Sequence, residues 1–188
     1  MSQALNNAMY AQGRADALSL SLRASDLNGT ELIAEEVKVP AWSKTADYSN
    51  EKPGIAVADE GQVWTLLIPH RPADYEGRPS TLRALWGLAH TTDPAKAKPW
   101  VASYGTSGLY MTGECCTYEH PIDGLLHVNR CLVDNNEYPP YTLNVEDRWE
   151  DLGPVPGQEL PEPEEIVPED DSLLPDEGKS SSGLLTEE

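Results

Sequence analysis

The side chains best suited to chemistry in this chain are three cysteines, four histidines and a large excess of carboxylates. Cys115, Cys116 and Cys131 are too few for a disulfide framework, and their odd number leaves at least one thiol without an intrachain partner. Adjacent residues of a strand point to opposite faces, so only one of Cys115 and Cys116 could face Cys131 across a strand pair. The other reading is three small hydrophobes buried on two neighbouring strands. A metal set built from these thiols with His120 and His127 would match no familiar CxxC knuckle spacing, and no metal or other cofactor is expected. Carboxylate pairs such as Glu35-Glu36, Glu164-Glu165 and Asp170-Asp171 are adjacent in sequence, whereas glycoside hydrolysis needs two carboxyls held across a cleft about 5 to 10 Å wide. His70, His90, His120 and His127 have no HxxxH spacing and no nucleophile elbow beside them. His70, next to Pro69, reads as a loop hydrogen-bonding group. A non-enzymatic role is therefore expected.

The elements that would position these groups follow from the aromatic residues. Twelve of the thirteen Trp and Tyr side chains lie between Trp42 and Trp149, and there is no Phe. One unit opens at Pro40-Ala41-Trp42, contains Tyr48 and a strand around Trp64, and closes on Ala84-Leu85-Trp86. A second opens at Lys98-Pro99-Trp100, contains Tyr110 and a strand at His127 to Leu132, and closes on Asp147-Arg148-Trp149. The chain thus reads as mainly β, with two small antiparallel β-sheet modules in tandem over residues 40–89 and 98–152. Units of this size have thin cores, which assigns Trp42, Trp64, Trp86, Trp100 and Trp149 to packing. The expected strands are Ile55 to Ala58 and Val63 to Ile68, joined at Asp59-Glu60-Gly61, then Glu114 to Glu119 and Leu126 to Leu132, joined through Pro121 and Gly124. A short polar linker, His90 to Ala97, sets the modules side by side.

Residues 1–39 read as a helical anchor. Ala4, Ala8, Ala11, Ala15, Leu18 and Leu22 recur at heptad-like steps within a helix spanning residues 3–24, with Gly13 on another face. That seam either docks on another chain, homo-oligomerisation through residues 4–22 included, or folds back on the modules. A shorter helix is expected from Gly29 to Val37, with Asn28 as N-cap, Glu31 completing a capping box and Pro40 stopping it. Asn28-Gly29-Thr30 is also a glycosylation sequon, but no signal peptide is visible and capping is the favoured reading.

The formal charge is −19 over 188 residues. Such an acidic surface argues against nucleic acid and anionic membranes as partners, because phosphate binding needs clustered Lys and Arg. No apolar run is long enough to span a bilayer, so the chain is expected to be made in a cytoplasm and to stay out of membranes. Residues 153–188 contain six Pro, no aromatic and many acids, a composition expected to stay disordered. Within it Ile166-Val167, Leu173-Leu174 and Leu184-Leu185 could serve as short docking motifs.

The run Pro69 to Ser80, closing with Ala84-Leu85-Trp86, resembles the carbohydrate-binding modules of families 5 and 12, the chitin-binding type attached to chitinases. Those modules typically have an opening Trp, a Tyr, a short hairpin, a Pro-His pair, an aromatic before Pro and a closing Ala-Leu-Trp. The first unit supplies Trp42, Tyr48, Trp64, Pro69-His70, Tyr75 with Pro79, and Ala84-Leu85-Trp86. The second, with Gly113 to Tyr118 and Asp134 to Pro139 before Trp149, looks like the companion unit of such modules in bacteriophage and prophage tail proteins. The resemblance covers Leu32 to Leu152. It implies a sugar stacked on Tyr75 and Tyr138, with His70 and Asn136 as polar neighbours, and departs from the family in carrying Tyr where Trp is common and in inserting Glu76-Gly77-Arg78. It further implies a virion protein whose partners are host surface glycan and other tail fibre or baseplate proteins; a purely structural virion protein with a vestigial sugar site is the alternative.

Overall fold

The computed structural model describes residues 2–158, so most of the expected acidic tail and its dileucine-type motifs lie outside the described residues. Helix α1 spans Gln3–Ser21 and is started by Ser2, whose hydroxyl accepts the Leu5 amide at 3.3 Å. Helix α2 is shorter than expected, Gly29–Ala34, and is followed by a 3-10 turn, Glu36–Lys38. Its capping box forms as the sequence predicts: Asn28 Oδ1 accepts the Glu31 amide at 3.0 Å, and Glu31 accepts the Asn28 amide at 2.9 Å.

Among the described residues seven strands make two sheets. The first is β1 (Ala56–Asp59), β2 (Gln62–Leu66) and β3 (Trp86–Leu88), antiparallel and in that order. Glu60 and Gly61 form the tight β1–β2 turn with φ of 51° and 73°, the left-handed pair that matches strand twist. The second sheet runs β4 (Lys98–Pro99), β5 (Cys115–Glu119), β6 (Leu126–Cys131) and β7 (Trp149–Pro154). β5, β6 and β7 are antiparallel, but β4 pairs parallel to β5, a correction to the all-antiparallel expectation. The reason is connectivity: β4 and β5 are joined by the long excursion from Trp100 to Glu114 and not by a hairpin.

Three further expectations change. The closing residues Trp86 and Trp149 lie on strands β3 and β7, which complete two three-stranded meanders, β1-β2-β3 and β5-β6-β7. Residues 153–158, assigned by composition to the tail, remain part of the second unit: the Val155 amide donates to Leu126 O at 2.8 Å, and the Gln158 side chain bonds both the amide and the carbonyl of Leu126. The α1 seam does not fold back on the modules. Ala4, Ala8, Ala11, Ala15, Leu18 and Leu22 are all exposed, and Leu20, on another face, is the one buried residue of the helix.

The core has three parts. Leu20, Ala24, Leu32, Ile33 and Val39 pack with Ala56, Val63 and Ala89, placing the helical segment against one face of the first sheet. Tyr48, Val57, Trp64, Leu66 and Trp86 fill the other face, with Trp42 and Leu85 partly buried against them. Tyr110, Cys116, Cys131 and Trp149 form the core of the second unit, with Trp100 at its margin. Such concentration of indole and phenol surface is what small sheets need, since each aromatic buries far more area than an aliphatic residue.

The segment His90 to Ala97 is more than a linker. Thr91 is buried and its carbonyl accepts the Cys115 amide at 2.7 Å. The His90 ring stacks on Tyr110, centroids 3.8 Å apart and 7° from parallel, while its Nδ1 donates to Glu114 at 2.9 Å. Gly29 lies so close to His90 that a Cβ there would stand 2.2 Å from the His90 carbonyl oxygen. Thr92 donates its amide to the Thr30 hydroxyl at 2.9 Å, and Lys98 pairs with Glu36 at 2.6 Å.

Candidate functional site

Tyr75 and Tyr138 occupy corresponding places in the two meanders. Tyr75 lies on the connection from β2 to β3 and Tyr138 on that from β6 to β7, between the middle strand and the strand carrying the closing Trp. Their exposures are similar, 42% and 38%.

Tyr75 ends a 3-10 turn, Pro72–Asp74, which Pro72 favours by fixing φ at the first position. Its amide donates to Pro72 O at 3.2 Å, and its carbonyl accepts from Lys44. The His70 ring lies 5.5 Å from Tyr75 and 5.3 Å from Trp86, nearly perpendicular to both, and Trp86 in turn meets Tyr48 edge-on at 5.2 Å. An aromatic chain therefore runs from the first unit's core out to Tyr75. His70 is buried, and its Nδ1 donates to Ile68 O at 2.8 Å, so it supports Tyr75 from beneath the surface. The inserted Gly77-Arg78 is anchored as well: Gly77 has φ 126° with Thr81 against it, and Arg78 forks onto Asp59 and reaches Glu60 at 2.9 Å.

Tyr138 is held by its backbone. Its amide donates to Asn136 Oδ1 at 3.1 Å, and its carbonyl accepts Trp149 Nε1 at 2.9 Å. The Arg148 guanidinium sits over its ring at 5.0 Å. Asn136 is wholly buried; its amide nitrogen donates to Cys131 Sγ at 3.5 Å, and its backbone pairs both ways with Tyr110. Both polar residues expected beside the tyrosines thus lie behind the surface, fixing the loops that carry them.

No family model matches the chain, and no curated protein matches it.

All three thiols are buried and free, and the cross-strand partners of Cys115 and Cys116 are Arg130 and Asn129, with Cys131 opposite Trp149. Burial pushes the Cys116 thiol well above its ordinary value, and the other two are raised for the same reason. These are inert packing residues, not nucleophiles.

His120 and His127 do come together, but with carboxylates and not with thiols. Their rings stack 4.3 Å apart and 8° from parallel at the β5–β6 turn. Asp123 Oδ2 lies 3.1 Å from His127 Nε2, and Asp151 Oδ2 of β7 lies 2.8 Å from His127 Nδ1. One donor atom each from His120, His127 and Asp151 falls within 4.8 Å of the others. Sequence spacing gave no sign of this grouping, because it depends on strand register: Tyr118 pairs with His127 and Glu119 with Leu126, which places His120 beside His127, and Asp151 arrives from the next strand. Another aromatic that sequence reasoning passed over is Tyr104, more exposed than either Tyr75 or Tyr138, at a tight turn where Tyr104 and Ser107 exchange backbone hydrogen bonds.

Among the described residues no helix is long and apolar enough to cross a membrane.

Proposed function

We propose that this protein is a non-catalytic phage virion component that contacts host surface glycan through Tyr75 and Tyr138, and that α1 anchors it to a tail fibre or baseplate. The observation that carries this reading is the placement of the two tyrosines on the same connection of two like meanders, each half-exposed and each locked by its neighbours. A pyranose has an apolar face of C–H groups, and a flat ring that is already fixed covers it with little loss of side-chain entropy. Two such platforms on one body bind a polymer with an effective concentration that neither has alone. Hydroxyl recognition falls to surface groups around Tyr75, where Lys44 and the Arg71–Asp47 pair at 3.1 Å are available.

The test is titration of the protein with chitin oligomers and with host wall polysaccharide, followed by chemical shifts. Binding that weakens in both Tyr75→Ala and Tyr138→Ala supports the reading; no response of the wild type, or binding by both variants equal to that of wild type, defeats it.

A second reading, a structural virion protein that uses the same modules for protein docking, is favoured by the uncovered α1 seam and by the burial of His70 and Asn136. Sedimentation with insoluble host wall material points to the first reading, and recovery solely with particle proteins points to the second.

A further inference from the structure

We propose that His120, His127 and Asp151 bind a divalent transition cation of the zinc type, with Asp123 acting as the positioning residue for His127. Two imidazole nitrogens and one carboxylate oxygen are a ligand set that suits zinc and its neighbours and not calcium or magnesium, which take oxygen donors. The three donor atoms lie within 4.8 Å of one another on three separate backbone segments: the end of the β5 hairpin arm, the start of β6, and edge strand β7.

The local fold explains the convergence. The His120 amide donates to Leu125 O at 2.8 Å, closing the hairpin so that His120 and His127 stand on neighbouring arms. An irregularity in the β6–β7 ladder between His127 and Asn129 shifts the pairing, with His127 opposite Pro154 but Asn129 opposite Asp151. Bulges of this kind re-aim side chains, and here Asp151 reaches His127.

Asp123 supplies the second part of the argument. His127 Nε2 lies 3.1 Å from Asp123 Oδ2 and its Nδ1 2.8 Å from Asp151 Oδ2, so a cation bound at Nδ1 would take the place of a proton there while Asp123 holds the ring through Nε2–H. A carboxylate–histidine–metal arrangement places the outer acid where Asp123 stands. His120 Nδ1 is buried and lacks a hydrogen bond, since Asp123 Oδ1, 3.1 Å away, is off the line a bond requires. The Tyr141 hydroxyl nearby is also buried without a partner, its ring 5.0 Å from His120.

Tetrahedral zinc with bonds near 2 Å sets its ligand atoms about 3.3 Å apart, so coordination requires the 4.8 Å spread of donors to close by up to about 1.5 Å and the 2.8 Å His127–Asp151 contact to open by about 0.5 Å. It also requires the two rings to splay, because parallel imidazoles cannot both aim in-plane lone pairs at one ion. Rotation about the side-chain torsions of the partly exposed His120 accomplishes both. Three protein ligands leave a fourth position for water, and the ion would tie the β5–β6 turn to β7.

Titration of the full-length chain with Co(II), followed by visible d–d absorption and competed with Zn(II), tests this. One equivalent should bind and give the intense bands of a four-coordinate site. His120→Asn and Asp151→Asn, checked for native circular dichroism, should each weaken binding about 10-fold or more, and Asp123→Asn by about 10-fold through loss of orientation. Absence of a cobalt spectrum at stoichiometric protein, or unchanged affinity in both folded ligand variants, would overturn the proposal.

Discussion

Two fully buried tryptophans of the first sheet, Trp64 and Trp86, are predicted to respond unequally to the same change. Replacing either with Phe removes part of the indole and leaves a small cavity, a cost of roughly 1–2 kcal/mol by the usual scale for large-to-small core changes. At Trp64 further losses add. Its Nε1 donates to Asp59 O at 3.2 Å, a bond worth about 1 kcal/mol net, and the Arg83 guanidinium lies 5.0 Å from the ring, a contact of about 0.5–1 kcal/mol that a phenyl ring retains less well. Trp64→Phe should therefore cost about 3 kcal/mol. At Trp86 the Nε1 is buried with no hydrogen-bond partner, and removing an unsatisfied donor returns about 1–3 kcal/mol, which offsets the cavity. The edge-on contacts with Tyr48 and His70 survive in a phenyl ring. Trp86→Phe should lie within about 1 kcal/mol of wild type, at least about 2 kcal/mol above Trp64→Phe. With a urea dependence near 2 kcal/mol per molar, the two midpoints should differ by about 1 M when followed by far-ultraviolet circular dichroism. Coincident midpoints, or a lower one for Trp86→Phe, would refute the reasoning that the hydrogen-bonding state of the indole decides the outcome.

Asn136→Ala should cost about 1–3 kcal/mol, read by thermal unfolding, because the Tyr138 amide loses its acceptor inside the second unit. Alkaline pH should destabilise the chain. Burial raises Cys116 above its ordinary 9.0, and burial likewise raises Tyr110, so their contribution is complete below the unfolded-state values and is lost as pH climbs through them, at about 1.4 kcal/mol per pH unit per group. The melting temperature should fall from pH 9 upward, and a thiol reagent at pH 8 should react solely after denaturant is added; prompt labelling of three thiols in the native protein would contradict this. Gly29→Ala should destabilise by more than about 2 kcal/mol, since its Cβ would meet the His90 carbonyl, with faster hydrogen exchange at the Cys115 amide as the diagnostic. Deleting residues 1–17, which spares buried Leu20, should leave melting unchanged; if wild type and deletion both sediment as monomers, self-association through the seam is refuted.

Local signals in the sequence located α1, the capping box at Asn28 and Glu31, the Asp59-Glu60-Gly61 turn and four strands, each to within about three residues. Each of these is written in a short window by side-chain alternation or by a residue suited to one backbone conformation. β3, β4 and β7 had no such signature. Trp86-Gly87-Leu88 is too short to show a period, and Trp149 to Pro154 carries acids, a Gly and a Pro that read as loop; it pairs as an edge strand, where Pro is tolerated, because β6 offers it a ladder. That Tyr75 and Tyr138 lie on loops was legible from the turn-forming residues around them. The burial of His70 and Asn136 was not, since a polar residue in a turn-rich segment can face either way until the core beneath it is assembled. The histidine–aspartate grouping was hidden for a further reason: it requires the register of three strands at once.

The stitching of Gly29, Thr30 and Glu36 to His90, Thr92 and Lys98 sets how the molecule carries mechanical load. A pull applied at α1 enters through Leu20 and Ala24 into the first core. From there it has more than one route to the second sheet, because the polar ties and the packed Gly29–His90 backbone act beside the covalent chain. Tension shared among parallel routes loads each one less than tension borne in series. The two sheets should therefore resist such a pull as one block, with their tyrosine loops held at a fixed separation under strain.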